Sequence, residues 1–205
     1  MVIFPPYHFS TAHSSTSLGL SFPPTLCDSD KTRGQFTAQG AVYLGGALSL
    51  HGSLGTFHQI DSPGIYAITV SFLVTGRADI FGLGVPLISR SGIKIPLSTA
   101  IAEIALKGIV EDPNGKVVGS TTLSLVQLKS GTLPSSPVFP YSLHFSSSSH
   151  SLTIPHCLFQ SIGLVSVAID LQVRLRAMGV SFSRVDFASG GNFIAIPFIK
   201  VDPTP

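Results

Sequence analysis

Apolar and polar residues alternate along most of this chain, and the clearest run is Val165 to Leu175. Val165, Val167, Ile169, Leu171, Val173 and Leu175 alternate with Ser166, Ala168, Asp170, Gln172 and Arg174. A period of two sustained this far predicts a half-buried antiparallel strand, one face on a core and the other outward. Ile65 to Val74 behaves similarly, with Tyr66, Ile68, Val70, Phe72 and Val74 on one side. Asp61-Ser62-Pro63-Gly64 before it is turn chemistry. Further strands are predicted at 36–50, 54–60, 84–89, 116–128, 138–145, 150–154, 179–187 and 192–200. Between them, Glu111-Asp112-Pro113-Asn114-Gly115 reads as a hairpin turn, and 130–137, 146–149 and 189–192 read as loops. Residues 98–110 carry good helix formers, with Ser98 as a cap and Glu103 and Lys107 spaced to pair. The same residues alternate and run into the hairpin turn, which favours a strand.

Residues 1–34 differ from the rest. Pro5, Pro6, Pro23 and Pro24 impose extended geometry, so the expected organisation is an N-terminal arm over 1–34 and a β-sandwich over 35–205. Within the arm, Ser17, Leu18, Gly19, Leu20, Ser21 and Phe22 alternate and form a candidate donor strand for a neighbour's sheet. Many short strands, no long helix and no internal repeat predict an all-β chain: a single antiparallel β-sandwich of jelly-roll type with an extended N-terminal arm.

Composition sharpens this picture. The 205 residues carry 12 Lys+Arg and 10 Asp+Glu, or 11% charged, against a usual share of about 25%. Hydrophobic residues make up 44%, too many for a disordered chain. A net charge of +2 gives no field for a polyanion, so nucleic acid is not an expected partner. The longest apolar stretch, Ile80 to Ile88, is interrupted by Gly82, Gly84 and Pro86 and is too short to span a membrane. The N-terminal residues do not have the pattern of a secretory signal. So few charges give weak repulsion between molecules and leave strand edges open to pairing. The expected partners are therefore copies of the chain itself.

Candidate chemistry is sparse. There is no nucleophile elbow, zinc-protease motif, phosphate loop or dinucleotide fingerprint, so neither a catalytic residue nor a cofactor or metal site is assigned. Asp28/Asp30 and Glu111/Asp112 flank turns. His144, His150 and His156 recur at intervals of six, but the serines at 146–149 and Pro155 are expected to break the strand between them. Cys27 and Cys157 are either buried thiols or one disulfide. Asp170, Arg174 and Arg176 lie on the outer face of the best strand, either solvated or in ion pairs between subunits. With 14 Phe, 4 Tyr, no Trp and 2 Asn, the aromatics read as core and a sugar-stacking surface is disfavoured.

The stretch Gly55 to Val70, with Phe57 and the Pro63-Gly64-Ile65-Tyr66 step, resembles a strand of tumour-necrosis-factor-like and complement-type jelly rolls. That family includes head domains of bacterial spore-surface collagen-like proteins. Gly179-Val180-Ser181-Phe182-Ser183 is similar to its closing strands. The resemblance implies trimerisation. The resulting expectation is a non-enzymatic, self-assembling subunit of an extracellular fibre, spore or cell-surface layer. Alternatives are a viral capsid or spike jelly roll, which would place the chain in a virion, and a glycan- or small-ligand-binding β-sandwich module.

Overall fold

The computed structural model describes residues 1–17, 20–21, 25–82, 86–88, 94–96, 98–130 and 140–204. Its strands, in chain order, are β1 (Val2–Ile3), β2 (Phe9–Ser17), β3 (Leu20–Ser21), β4 (Leu26–Asp30), β5 (Gln35–Tyr43), β6 (Ala47–Ile60), β7 (Gly64–Gly82) and β8 (Pro86–Ile88). They continue with β9 (Lys94–Pro96), β10 (Thr99–Glu111), β11 (Val117–Lys129), β12 (Tyr141–Phe159), β13 (Gly163–Met178), β14 (Ser181–Phe187) and β15 (Phe193–Pro203).

The strands form two antiparallel layers of a jelly-roll β-sandwich, as the alternation predicts. One layer has five strands in the order β11-β10-β13-β6-β2. The other has eight strands. In it β12 flanks β7, and β7 pairs along its length with β15 and then β14. Strand β5 follows, with β3 and β4 beyond it and β1 outside β15. Strands β8 and β9 form a separate hairpin.

The alternation of β13 places Val165, Val167, Ile169, Leu171, Val173 and Leu175 inward, none more than 2% exposed. They meet Phe36, Phe72, Phe159 and Phe187 and the other inward residues in one core. Each such side chain contributes roughly 1.5–3 kcal/mol by leaving water. Residues 99–111 are strand, because β10 is paired on both sides, with β11 and β13. Tertiary pairing overrides helix propensity there.

Two expectations are corrected. Residues 36–50 are two strands, because Leu44 and Gly45 have φ of 49° and 105° and turn the chain. Residues 146–149 are not a loop and Pro155 does not end the strand, since β12 runs unbroken from Tyr141 to Phe159. Two register shifts absorb the irregularity, one between Phe145 and Ser148 and one between Ile154 and Cys157. Ser147 and His156 take φ of 60° and 55° within them. Such bulges keep a strand paired while displacing one residue.

The described residues of 1–34 contribute strands to both layers of their own sandwich, and residues 31–34 turn the chain into β5. Strand β1 pairs with β15, β4 with β5, and β2 forms the edge beside β6. Of the candidate donor strand, Leu18, Gly19 and Phe22 lie outside the described residues. Ser17 ends β2, and Leu20–Ser21 pairs with Tyr43 and Val42 of the same chain. Tyr7, 3% exposed, anchors the segment by donating a 2.8 Å hydrogen bond to the Ile196 carbonyl. Gly34 has φ of +64°, and a Cβ there would stand 2.7 Å from the Tyr7 ring and 2.9 Å from the Ile196 oxygen. Tyr7→Phe leaves that carbonyl without its partner and is expected to cost about 1–3 kcal/mol in urea unfolding. An unchanged midpoint would mean that the anchor lies elsewhere.

Candidate functional site

Two tripeptides of the form Arg-x-Asp occur in the chain, Arg77-Ala78-Asp79 and Arg184-Val185-Asp186. Each is flanked two positions away by Phe, giving Arg77-x-Asp79-x-Phe81 and Phe182-x-Arg184-x-Asp186. On a strand, residues two apart share a face. Strands β7 and β14 pair antiparallel with Phe182 opposite Phe81, Arg184 opposite Asp79, and Asp186 opposite Arg77. Ala78 and Val185 between them are fully buried, so these six side chains lie on the outer face of the eight-stranded layer.

The aromatic row continues onto β5, where Tyr43 lies opposite Phe182. Phe81 and Phe182 stack with centroids 5.8 Å apart and an interplanar angle of 16°. Tyr43 and Phe182 are 5.9 Å apart at 31°. All three rings are partly exposed, and together they form an aromatic strip across three strands.

Beside the strip the charges alternate. Arg77 Nε lies 3.7 Å from Asp79 Oδ2, and Arg184 donates to Asp186 Oδ2 at 3.3 Å. From β12, Ser142 donates its hydroxyl to Asp79 Oδ1 at 2.7 Å, and His144 lies opposite Arg77. Asp186, 2% exposed, also accepts from the Ser189 hydroxyl at 2.5 Å and from the Ser189 amide at 3.0 Å. Burial pushes the Asp186 carboxyl up. Those bonds, the Ala188 amide and the Arg184 charge together outweigh it and hold the carboxyl below its ordinary pKa. The quartet sets two arginines against two aspartates. Arg77, Arg184 and Asp79 set fixed donors and an acceptor next to flat apolar rings, while the buried Asp186 holds Arg184.

Sequence reasoning missed this surface. Phe36, Phe72, Phe159 and Phe187 are core as expected, but Phe81 and Phe182 face outward, which the composition could not reveal. The repeated Arg-x-Asp was the available signal.

The residues singled out from sequence lie elsewhere. Cys27 and Cys157 are both free thiols. They sit on β4 and β12, at opposite sides of the eight-stranded layer. Four interstrand spacings separate them, roughly 19 Å, too far for a disulfide within one chain. Burial pushes Cys157 up to about 11 and raises Cys27 as well. Asp170 lies beside His51, with 3.9 Å between Oδ2 and Nε2, on the outer face of the five-stranded layer. Arg174 and Arg176 share that face and are exposed. Arg176 also lines a shallow depression of about 420 Å³ with Gly45, Gly46 and Met178. Asp28, Asp30 and Asp112 accept bonds from nearby backbone amides. His144 and His156 are exposed, whereas His150 is less so and contacts Ser148 and Phe145. The bulges of β12 therefore part histidines that an even spacing would align.

No family model and no curated protein matches the chain. Solved structures similar in part include a carbohydrate-binding module in complex with β-1,4-galactotriose, at 9% identity and a TM-score of 0.28 over 78% of this chain and 70% of that one. A second, from a study of promiscuous carbohydrate-binding modules of the β-sandwich superfamily, has 12% identity and a TM-score of 0.31 over 93% of this chain, which spans 57% of that one. A third, the family 11 carbohydrate-binding module of a Clostridium thermocellum cellulosomal cellulase, has 14% identity and a TM-score of 0.22 over 91% of this chain and 87% of that one. These are partial likenesses of sandwich architecture.

The low pKa of Asp186 sets a sign for pH dependence. A carboxyl depressed in the folded state stabilises above its unfolded pKa, and the contribution is lost as pH falls through the folded value. Asp186→Asn is expected to unfold at a lower temperature than the parent chain at pH 7, with the gap closing below about pH 3.9. A gap that is constant with pH would assign the loss to packing. Cys157 should resist alkylation at pH 8 until the chain is unfolded, and rapid labelling of the native chain would contradict its burial.

Proposed function

We propose that the chain is a non-catalytic glycan-binding β-sandwich module that holds a neutral polysaccharide on the outer face of its eight-stranded layer. The observation that carries this reading is the in-register pairing of Arg77-x-Asp79-x-Phe81 with Phe182-x-Arg184-x-Asp186. Sugar rings present an apolar C–H face and a rim of hydroxyls. The strip of Phe81, Phe182 and Tyr43 offers π faces to the first. Arg77, Arg184 and Asp79 offer donors and an acceptor to the second, and two arginines set against two aspartates leave no call for an anionic group. Both carboxylates are engaged with arginines, and Asp186 is buried and held below its ordinary pKa, which suits it to fixing Arg184 in place rather than to delivering a proton. An extracellular or cell-surface setting, where polysaccharides are met, fits this reading.

A second reading, association between copies, is favoured by the edge strand β2. Its sequence FSTAHSSTS has no charge, and residues 11–16 are exposed. An edge of this kind is open to pairing with another chain. Light scattering at rising concentration distinguishes a monomeric module from an assembler.

Affinity electrophoresis through gels containing neutral β-glucan, galactan or xylan tests the first reading. Retardation by at least one is expected. Phe182→Ala, with its ring on the surface, should weaken binding about tenfold or more while leaving the fold intact by circular dichroism. Absence of retardation across a panel of neutral glycans, or retardation unchanged in Phe182→Ala, would overturn it.

A further inference from the structure

The geometry points to a binding site for one late divalent transition-metal ion on the opposite face of the sandwich, chelated by His13 and His51. Strand β2 pairs with β6 so that His13 stands directly opposite His51. Both side chains lie on the outer face. In the same two strands Phe9 and Phe57 share that face, with rings 5.7 Å apart, and odd-numbered positions of both strands follow them. His51 itself reaches Asp170 on β13 across the surface. Side chains directly opposed on an antiparallel pair have Cβ atoms about 4.5–5.5 Å apart, which places two imidazoles within reach of one ion.

Imidazole suits zinc, copper and nickel, with copper held most tightly of the three. Among the described residues, no group of three or more His, Cys, Asp or Glu side chains could hold a metal. The site is therefore a two-imidazole chelate completed by water. The Asp170 carboxylate, 3.9 Å from His51 Nε2, supplies charge and orientation, the outer role that carboxylates play toward metal-bound histidines. Lys107 lies opposite Asp170 and Gln172 opposite His51. Cys27 is not a ligand, because its thiol packs against the core and donates to the His51 carbonyl at 3.4 Å.

Such an ion would tie the edge strand β2 to β6. It would stabilise the folded chain, since an unfolded chain does not hold the two rings together. Isothermal titration of the metal-free protein with CuCl2, NiCl2 and ZnCl2, paired with thermal unfolding, tests this. One ion per chain is expected, bound most tightly for copper, with a rise in Tm. Copper spectra should show nitrogen coupling from two imidazoles. His13→Ala and His51→Ala should each weaken binding about tenfold or more and abolish the rise in Tm. Asp170→Asn should weaken it less, and His144→Ala, on the other layer, should not change it. These positions are on the surface, so an unchanged Tm without metal confirms that each variant folds. Absence of binding, or binding that survives both His13→Ala and His51→Ala, would overturn the assignment.

Discussion

The inward row of β7 is the constraint on which the sandwich depends. Tyr66, Ile68, Val70, Phe72, Val74, Ala78 and Ile80 are all buried, and the strand that carries them is hydrogen-bonded to β12 on one side and to β15 and β14 on the other. A one-residue slip would turn that row to water and bring Thr69, Ser71 and Arg77 into the core. Register on β7 is therefore strongly specified. Because it is, the outward row is specified too, and Phe81, Asp79 and Arg77 face partners on β14 that the core has already aligned. The paired charges and stacked rings add to the same register. Gly76, where a Cβ would stand 2.4 Å from the Phe187 ring and 2.6 Å from the Asp186 oxygen, lets the two strands close at the end of the quartet.

Much of this fold was legible from alternation, and the failures have specific physical causes. The strand β13 and the turn at 111–115 were readable because period two and turn residues are local signals. Asp112 closes that turn by accepting from the amides of Asn114 and Lys116 at 2.9 Å each. Strand β12 was not readable as one element, since its bulges at 146–147 and 155–156 break the period while preserving the pairing. The turn at 44–46 was hidden because its glycines stand among small apolar residues. The Pro63-Gly64-Ile65-Tyr66 step has a local role here. The Tyr66 hydroxyl donates to the Ser62 carbonyl at 3.0 Å and its ring lies 5.4 Å from Phe159, pinning the turn to the core.

The candidate surface was illegible for a different reason. Composition counts residues without placing them, and a low aromatic count with no Trp argues against sugar stacking only if the aromatics are buried. Here three rings sit in one outward row. The scarcity of charge points the same way once it is mapped. Of 22 charged residues in the chain, Arg77, Asp79, Arg184 and Asp186 converge on one site, where a solvated exterior would scatter them. The five-stranded layer is polar outside in another manner, with Ser, Thr and His rows and the Asp170, Lys107, Arg174 and Glu103 positions on neighbouring strands.

The most direct measurement is the amide spectrum of the labelled protein during titration with a neutral oligosaccharide. Shifts confined to β7, β14 and β5 around Phe81, Phe182 and Tyr43 are expected. Shifts centred on the five-stranded layer, or none with any neutral sugar, would contradict a glycan surface on this face.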